Sequence, residues 1–162
     1  MLWNTLQIEG PRPMSRMGHS FSVVKNKIYM FGGTTLDAIT NEFWIFDTDI
    51  NKWEKVENDC IYPSPRCGHN SVVLGESILI FGGINHFDVN PLQSGVFVLD
   101  TNEKIFKSIQ VEGNSNRIDS ACCVAGELRN NVLEHVKVIM FGGMDLKCMF
   151  NDLQILDISN EL

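Results

Sequence analysis

The sequence predicts an all-β fold built from three repeated units. Three apolar runs end in the same Phe-Gly-Gly tripeptide: Ile28–Gly33, Ile78–Gly83 and Val138–Gly143. An apolar-rich run that ends in aspartate follows each of them, and no window of the 162 residues has a sustained helical period. Strand-length runs that recur about every 50 residues are typical of β-propeller blades. We therefore expect three four-stranded antiparallel blades of a propeller.

An aromatic residue marks the start of each unit. Trp3, Trp53 and Phe106 are spaced by 50 and 53 positions. The units of this single domain, 1–162, are then residues 3–52, 53–105 and 106–162. The first unit reads WNTLQIE, HSFSVV, KIYMFGG and EFWIFD, four strand-length runs separated by turn residues. The Trp-led run alternates and is expected at an outer sheet edge, whereas the Phe-Gly-Gly run is apolar throughout and is expected to be covered on both faces.

An arginine opens the second run of each unit. In the first two units it begins the sequences RMGH and RCGH, so that Arg16 and Arg66 each precede the first glycine of their own pair by 16 positions. The third unit departs from this pattern. Arg117 lies 25 positions before Gly142, which indicates an insertion of nine residues, and Asp-Ser replaces Gly-His.

Together these features resemble the kelch repeat over nearly the whole chain. The resemblance implies blades packed around a central channel, with the glycine pair at the crowded end of an inner strand and the aromatic residue packed between neighbouring blades. The positions assigned to this structural motif are Gly32, Gly33, Gly82, Gly83, Gly142, Gly143, Trp3, Trp53 and Phe106. The aspartates that end the third run of each unit are expected to cap turn N–H groups.

Composition excludes several function classes. The net charge is −7 without a basic cluster, which argues against binding a nucleic-acid backbone. The longest apolar runs are strand-sized, so no membrane span is expected, and the first ten residues do not resemble a signal peptide. The five cysteines form no C-x-x-C pair, and we interpret them as reduced thiols that fill strands in a cytoplasmic or nuclear protein. They are Cys60, Cys67, Cys122, Cys123 and Cys148.

No motif for catalysis, metal binding or cofactor binding is found. The sequence has no G-x-S-x-G, H-E-x-x-H, phosphate-binding or dinucleotide-binding pattern. His19 and His69 share one repeat position and are interpreted as structural histidines that hydrogen-bond within a blade. We therefore expect a protein that is not an enzyme, with no catalytic residue, cofactor or metal.

The three arginines are candidates for partner binding. In proteins that this chain resembles, such arginines often face the channel mouth and converge on an acidic peptide, since guanidinium groups suit carboxylates. Structural pairing with nearby aspartates or carbonyl groups is the alternative, and both interpretations stay open for Arg16, Arg66 and Arg117. His86 and Asp88, in a loop that departs from the repeat, are further candidates.

The resemblance implies a protein-interaction module, an adaptor or scaffold that recognises a partner peptide or loop. Recognition is expected from the stretches that depart from the repeat, Gly83–Ser94 and the insertion Glu127–Glu134. The alternative is a regulatory propeller of a larger enzyme, such as a kelch-type protein phosphatase. An enzyme in its own right, assisted by a metal, is a third and weaker hypothesis.

Three blades leave open how a propeller would close. Either the chain is part of a longer array of blades, or two copies join head to tail into a six-bladed ring. In the ring, the Trp-led run Trp3–Glu9 of one copy would pair beside Leu153–Asp157 of the other, and two-fold symmetry would close the contact.

Overall fold

A computed structural model describes residues 2–57, 62–86, 92, 95–113, 116–129 and 132–158. These ranges contain strands, turns and irregular segments and no helix. The strands form three antiparallel sheets in chain order, which we call blades 1, 2 and 3. The all-β prediction is therefore confirmed, with the sheets arranged as kelch-type blades of a partial propeller.

Blade 1 has four strands in the order β1-β2-β3-β4. Their bounds are β1 Ser20–Val24, β2 Lys27–Phe31, β3 Phe43–Asp47 and β4 Lys52–Val56. Every side chain of β3 except Asp47 is buried, because both faces of this strand are covered. In β4 no side chain is fully buried, as predicted for the Trp-led run at an outer edge.

Blade 2 repeats this order. Its strands are β5 Asn70–Leu74, β6 Ser77–Phe81, β7 Val96–Asp100 and β8 Ile105–Ile109. The innermost strands of the three blades are neighbours, since β5 contacts both β1 and the first strand of blade 3. Each blade with four strands takes three of them from one sequence unit and the fourth from the start of the next unit.

Blade 3 has three strands within the described residues, where the sequence predicted four. They are β9 Ala121–Arg129, β10 Val132–Phe141 and β11 Leu153–Asp157, in the order β11-β10-β9. In blades 1 and 2 the fourth strand begins five residues after the strand-ending aspartate. The corresponding position in blade 3 is residue 162, which lies outside the described residues.

The predicted strand at Trp3–Glu9 is wrong for this structure. Residues 2–9 form no strand, and Trp3 is fully exposed. The physical reason is that a strand needs a neighbour to accept and donate its backbone hydrogen bonds. The outer edge of blade 1 is already formed by β4, so the segment has no strand beside it there.

Two apolar clusters join the blades. The first lies between blades 1 and 2 and is centred on Phe106, which is 4% exposed and packs 5.4 Å from the rings of both Phe31 and Phe43. The second lies between blades 2 and 3 and includes Leu79 and Val138. Burial of these apolar side chains provides the main contact between successive blades.

The outward faces of the two terminal blades differ in character. On blade 1, Trp53 packs against Phe46 at 5.1 Å and Trp44 at 6.4 Å, which covers part of that face. On blade 3, Phe141 is 53% exposed and Leu153 is 58% exposed. The expectation that the unit-starting aromatic packs between blades therefore holds for Phe106, whereas Trp53 packs on a terminal face.

Candidate recognition surface

Arg66 is buried inside the protein at the junction of blades 1 and 2. It has no exposed surface, and its guanidinium group donates hydrogen bonds to the Gly82 carbonyl and the Ser64 carbonyl, both at 3.1 Å. Its charged end also lies 5.3 Å from the centre of the Phe97 ring. Burial lowers the pKa of Arg66 to about 10, which still leaves it charged at neutral pH.

The other two repeat arginines make the equivalent bond. Arg16 donates to the carbonyl of Gly32 at 3.1 Å, and Arg117 donates to that of Gly142 at 2.9 Å. Each is also paired with a carboxylate at the start of the third run: Arg16 with Glu42 at 2.5 Å, and Arg117 with Asp152 at 2.6 Å.

These carboxylates are held in their charged form. Burial raises the pKa of Glu42, but hydrogen bonds from Arg16, Lys55 and Trp44 outweigh this effect and lower it to about 2. The hydrogen bonds from Arg117 lower the pKa of Asp152. The side chains of Arg16 and Arg117 are 2% and 6% exposed, so the geometry of both matches the structural-pairing interpretation.

The backbone of the same arginines links consecutive blades. The N–H of Gly33 donates to the carbonyl of Arg66 at 2.9 Å, and the N–H of Gly83 donates to the carbonyl of Arg117 at 2.8 Å. Gly33 and Gly83 have φ values of 94° and 91°, which glycine adopts without the steric cost of a side chain. Arg66 and Arg117 therefore bind their own blade through the side chain and the preceding blade through the backbone carbonyl.

The two repeat histidines make ring contacts. His69 is 9% exposed, and its ring lies edge-on to Phe31 of blade 1 at 5.5 Å. Burial, with a smaller contribution from the Arg66 charge, lowers the pKa of His69 to about 3. The ring of His19 lies edge-on to Phe21 at 6.1 Å. His69 therefore packs between blades, against an aromatic ring of blade 1.

The connections between the second and third strands of the blades all lie at one end of the blades, which we call the loop end. They span residues 32–42, 82–95 and 142–152, whereas the opposite end carries the short turns between the third and fourth strands. On the loop end, Leu36 is 98% exposed and Leu146 is 58% exposed. Both stand three positions after the glycine pair of their unit, and exposed His86 occupies the same position in blade 2.

Hydrogen bonds fix the turns that carry the two leucines. The hydroxyl of Thr35 accepts hydrogen bonds from the N–H groups of Asp37 and Ala38, both at 3.2 Å. In blade 3 the carboxylate of Asp145 does the same for Lys147 at 2.7 Å and Cys148 at 2.8 Å. A turn that is already held by hydrogen bonds loses less backbone entropy when it binds a partner.

The opposite end of the blades is built from aspartate-capped turns. The Asp47 carboxylate accepts hydrogen bonds from the N–H groups of Asp49 at 2.9 Å and Ile50 at 3.3 Å. Asp100 makes the equivalent bonds in blade 2. The predicted capping role is confirmed for Asp47 and Asp100, and the turns offer short, polar surfaces apart from Ile50, which is 63% exposed.

Some predicted site residues lie elsewhere. Asp88 and most of the Gly83–Ser94 stretch lie outside the described residues. The insertion prolongs β9 and β10 into a long hairpin, with a register shift between Glu134 and Lys137. Sequence reasoning missed Leu36 and Leu146, although their equal distance from the glycine pair was a signal that could have identified them.

Thiols, metal ligands and membrane segments can be assessed over the described ranges. The four cysteines in these ranges, Cys67, Cys122, Cys123 and Cys148, are free thiols. Burial raises the pKa of the Cys122 thiol to about 11. No group of three or more His, Cys, Asp or Glu side chains in these ranges is placed to hold a metal ion. Nor do these ranges contain a helix of the length and apolarity needed to cross a membrane.

The fold and the repeated arginine–glycine contacts agree with a comparison against known families. Residues 1–161 match the model of the KLHDC2/KLHL20/DRC7 kelch-repeats domain. This chain belongs to the kelch-repeat family. Members of this family are generally protein-interaction modules.

Three relatives illustrate the setting of similar kelch segments. Tip elongation aberrant protein 1 of Schizosaccharomyces pombe is 32% identical over 101 residues, 61% of this chain and 9% of that protein. Rho GTPase-activating protein gacHH of Dictyostelium discoideum is 34% identical over 71 residues, 44% of this chain and 5% of that protein. Kelch domain-containing protein 3 of Bos taurus is 28% identical over 106 residues, 65% of this chain and 28% of that protein. The matched part of this chain spans less than a third of each relative.

Proposed function

We propose that this kelch segment is a non-catalytic adaptor that binds a peptide or loop of a partner protein on the loop end of its blades. The observation that carries the proposal is the pair of exposed leucines, Leu36 and Leu146, on hydrogen-bonded turns of that end. Exposed apolar side chains on preorganised loops are a common basis of protein recognition. The reduced cysteines and the net charge of −7 favour a cytoplasmic or nuclear protein partner over nucleic acid.

His86 extends this surface across the middle blade. It is exposed at the repeat position of the two leucines, so we treat the three side chains, one per blade, as one row of recognition residues. The repeat arginines act from behind this row: they fix the loop bases through the carbonyl groups of the glycine pairs. In this proposal the arginines support the binding loops, and direct contact with the partner falls to the loop tips.

A second candidate function comes from the relatives. The match to a Rho GTPase-activating protein favours a kelch segment that regulates or targets a catalytic domain in a larger protein. The same loop end would then bind within its own protein. The two candidates differ in whether the bound segment belongs to a separate chain.

The experiment is a quantitative capture of partners by the chain and by a Leu36→Asp, Leu146→Asp double variant. Charged side chains at both tips should reduce capture of specific partners roughly tenfold or more, since they place an unpaired charge in an apolar contact. Ile50→Asp is the matched control, because Ile50 is similarly exposed at the opposite end of the blades. Equal capture by the double variant and the control would contradict the proposed surface, provided that thermal melts show both to be folded.

A further inference from the structure

Ser64 is the only serine or threonine of the chain that precedes a proline. It lies in the sequence Tyr-Pro-Ser-Pro-Arg, shortly before the second repeat arginine. Residues 62–64 belong to no strand, and a residue before a proline is restricted to extended backbone conformations. Asn41 of blade 1 donates a hydrogen bond to the Pro63 carbonyl at 3.4 Å. The half-buried serine therefore lies on an extended segment that blade 1 contacts.

The hydroxyl group of Ser64 contacts a buried guanidinium group. Its Oγ atom accepts a hydrogen bond from Nη2 of Arg66 at 3.1 Å. The Nε and Nη1 atoms of the same arginine donate to the carbonyls of Ser64 and Gly82. These bonds fix the guanidinium group, which is charged at neutral pH because burial lowers its pKa only to about 10. A group attached to Oγ would thus lie beside a fixed positive charge.

The other two repeat arginines use the same nitrogen atom to bind an anion. Nη2 of Arg16 donates to the Glu42 carboxylate at 2.5 Å, and Nη2 of Arg117 donates to the Asp152 carboxylate at 2.7 Å. Both carboxylates belong to the residue directly before the third-run strand of their blade. Gly95 holds this position in blade 2 and supplies no side chain there. In blade 2, Nη2 contacts the serine hydroxyl group.

We propose that Ser64 is a phosphorylation site of proline-directed protein kinases and that its phosphate pairs with Arg66. In the reaction, Oγ of Ser64 attacks the γ-phosphorus atom of ATP, the bond from this phosphorus to the bridging oxygen breaks, and ADP leaves. The hydroxyl proton passes to a carboxylate base of the kinase. Kinases of this class fit the sequence because Pro65 has no N–H group, so an apolar subsite can accept it without leaving a donor unpaired.

The phosphate gives blade 2 an anion at the nitrogen atom that binds a carboxylate in blades 1 and 3. A phosphoserine carries a charge of about −1.5 to −2 at pH 7 and three acceptor oxygens, and guanidinium groups bind such oxygens through charge-assisted hydrogen bonds. Since Arg66 also holds the Gly82 carbonyl, the pairing should strengthen the base of the loop that carries His86. The proposal is independent of which partner the loop end binds.

Incubation of the full chain with a proline-directed kinase, ATP and Mg²⁺ tests the site. We expect a single phosphoryl group, assigned to Ser64 by fragment mass spectrometry. Ser64→Ala should abolish its incorporation, and Pro65→Ala should lower the rate roughly tenfold, because the kinase then loses the residue that it recognises. Ser15→Ala is the matched control, since Ser15 is exposed beside Arg16 but no proline follows it. This control should incorporate phosphate like the wild type.

Phosphorus NMR of the phosphorylated chain tests the contact with Arg66. The second pKa of a phosphoserine is about 6, and a neighbouring guanidinium group lowers it by favouring the dianion. We expect the signal to titrate about one pH unit lower in the folded chain than in the same chain unfolded in urea. The thermal midpoint should rise by about 2–6 °C on phosphorylation and return after phosphatase treatment.

Three results would overturn the proposal. The first is a folded chain that the kinase does not modify under conditions in which it modifies a peptide of residues 60–67, because the serine is then inaccessible. The second is a phosphate that titrates at the same pH in the folded and the unfolded chain, which would exclude pairing with Arg66. The third is a thermal midpoint that falls on phosphorylation, since the phosphate would then disrupt the junction that it is proposed to stabilise.

Discussion

At the scale of single residues, the glycine pair has two separate reasons to be glycine. Gly32 and Gly142 have the same φ of 67°, a left-handed conformation that side chains rarely adopt. A Cβ atom at Gly32 would also lie 2.7 Å from the carbonyl oxygen of Arg66 in the next blade, whereas at Gly142 the nearest atom, the Phe150 oxygen, is 3.4 Å away. The backbone requirement recurs in blade 2, where Gly82 has a φ of 71°, whereas the close approach of the next blade distinguishes Gly32 from Gly142.

Gly32→Ala should therefore destabilise the chain more than Gly142→Ala. The left-handed backbone should cost each variant about 1–2 kcal/mol of unfolding free energy, and the clash with Arg66 should add about 1–3 kcal/mol at Gly32. Denaturant unfolding measures the difference, and equal losses would show that the following blade does not restrict Gly32.

The stability of the protein should fall as the pH is lowered from 7 to 5, because of His69. Its folded-state pKa of about 3 lies below the usual 6.5, so protons bind the unfolded chain first as the pH decreases. The stabilisation from neutral His69 is fully present above pH 6.5 and is lost progressively below it. This predicts a loss of about 2 kcal/mol between pH 7 and pH 5.

Denaturant unfolding at several pH values measures this dependence. Its slope should become shallower in the His69→Gln variant, which cannot titrate at this position. The remaining slope should belong chiefly to His19, whose pKa is also lowered by burial and by the Arg16 charge. Carboxylates contribute little in this window, since they titrate mainly below pH 5. A variant with the slope of the wild type would contradict the assignment to His69.

The sequence predicted which residues recur but not which way they point. The constant spacing of Arg16 and Arg66 from their glycine pairs showed a shared structural position. Whether a guanidinium group faces the channel or the blade depends on acceptors that only the fold brings close, such as the Gly82 carbonyl. The carboxylate partners Glu42 and Asp152 lie 26 and 35 positions away in sequence, beyond any local pattern.

At the scale of strands, the insertion in the third unit extends an existing hairpin instead of adding an element. In blade 1, Val24 and Lys27 close a two-residue turn, and Ala125 and Lys137 occupy the equivalent positions in blade 3. The extra residues continue both strands beyond that point. The paired positions that join the three strands of blade 3 lie on the other side of it, from Lys137 to Phe141.

Deletion of residues 128–134 should consequently leave the fold intact. Four residues would then connect Ala125 to Lys137, a length that hairpins commonly use. Val136 is retained, because its side chain is buried and its carbonyl accepts the N–H of Ile158 at 3.1 Å. We expect a change of less than about 1 kcal/mol in unfolding free energy, measured by thermal denaturation. Loss of the folded transition would show that the hairpin extension is part of the core; loss of partner capture alone would assign recognition to it.

Strand prediction succeeded where the neighbouring strand comes from the same part of the chain. The runs at β2 and β3 pair with each other across one loop, so local periodicity was enough to find them. The Trp-led run at residues 3–9 has the same pattern as β4 but no adjacent strand in the structure. Its failure follows from the cooperativity of sheets, in which a segment becomes a strand only when another strand satisfies its backbone groups.

At the scale of the whole molecule, the blades present two unlike terminal faces. The junction between blades 1 and 2 buries the Phe106 ring, the first glycine pair and the Arg66 carbonyl together. The terminal faces divide the equivalent elements between them, with Trp53 and the Arg16 carbonyl on blade 1 and the Phe141 face on blade 3. The same repeat position is therefore buried at an internal junction and exposed on an outer face, as Phe31 and Phe141 show.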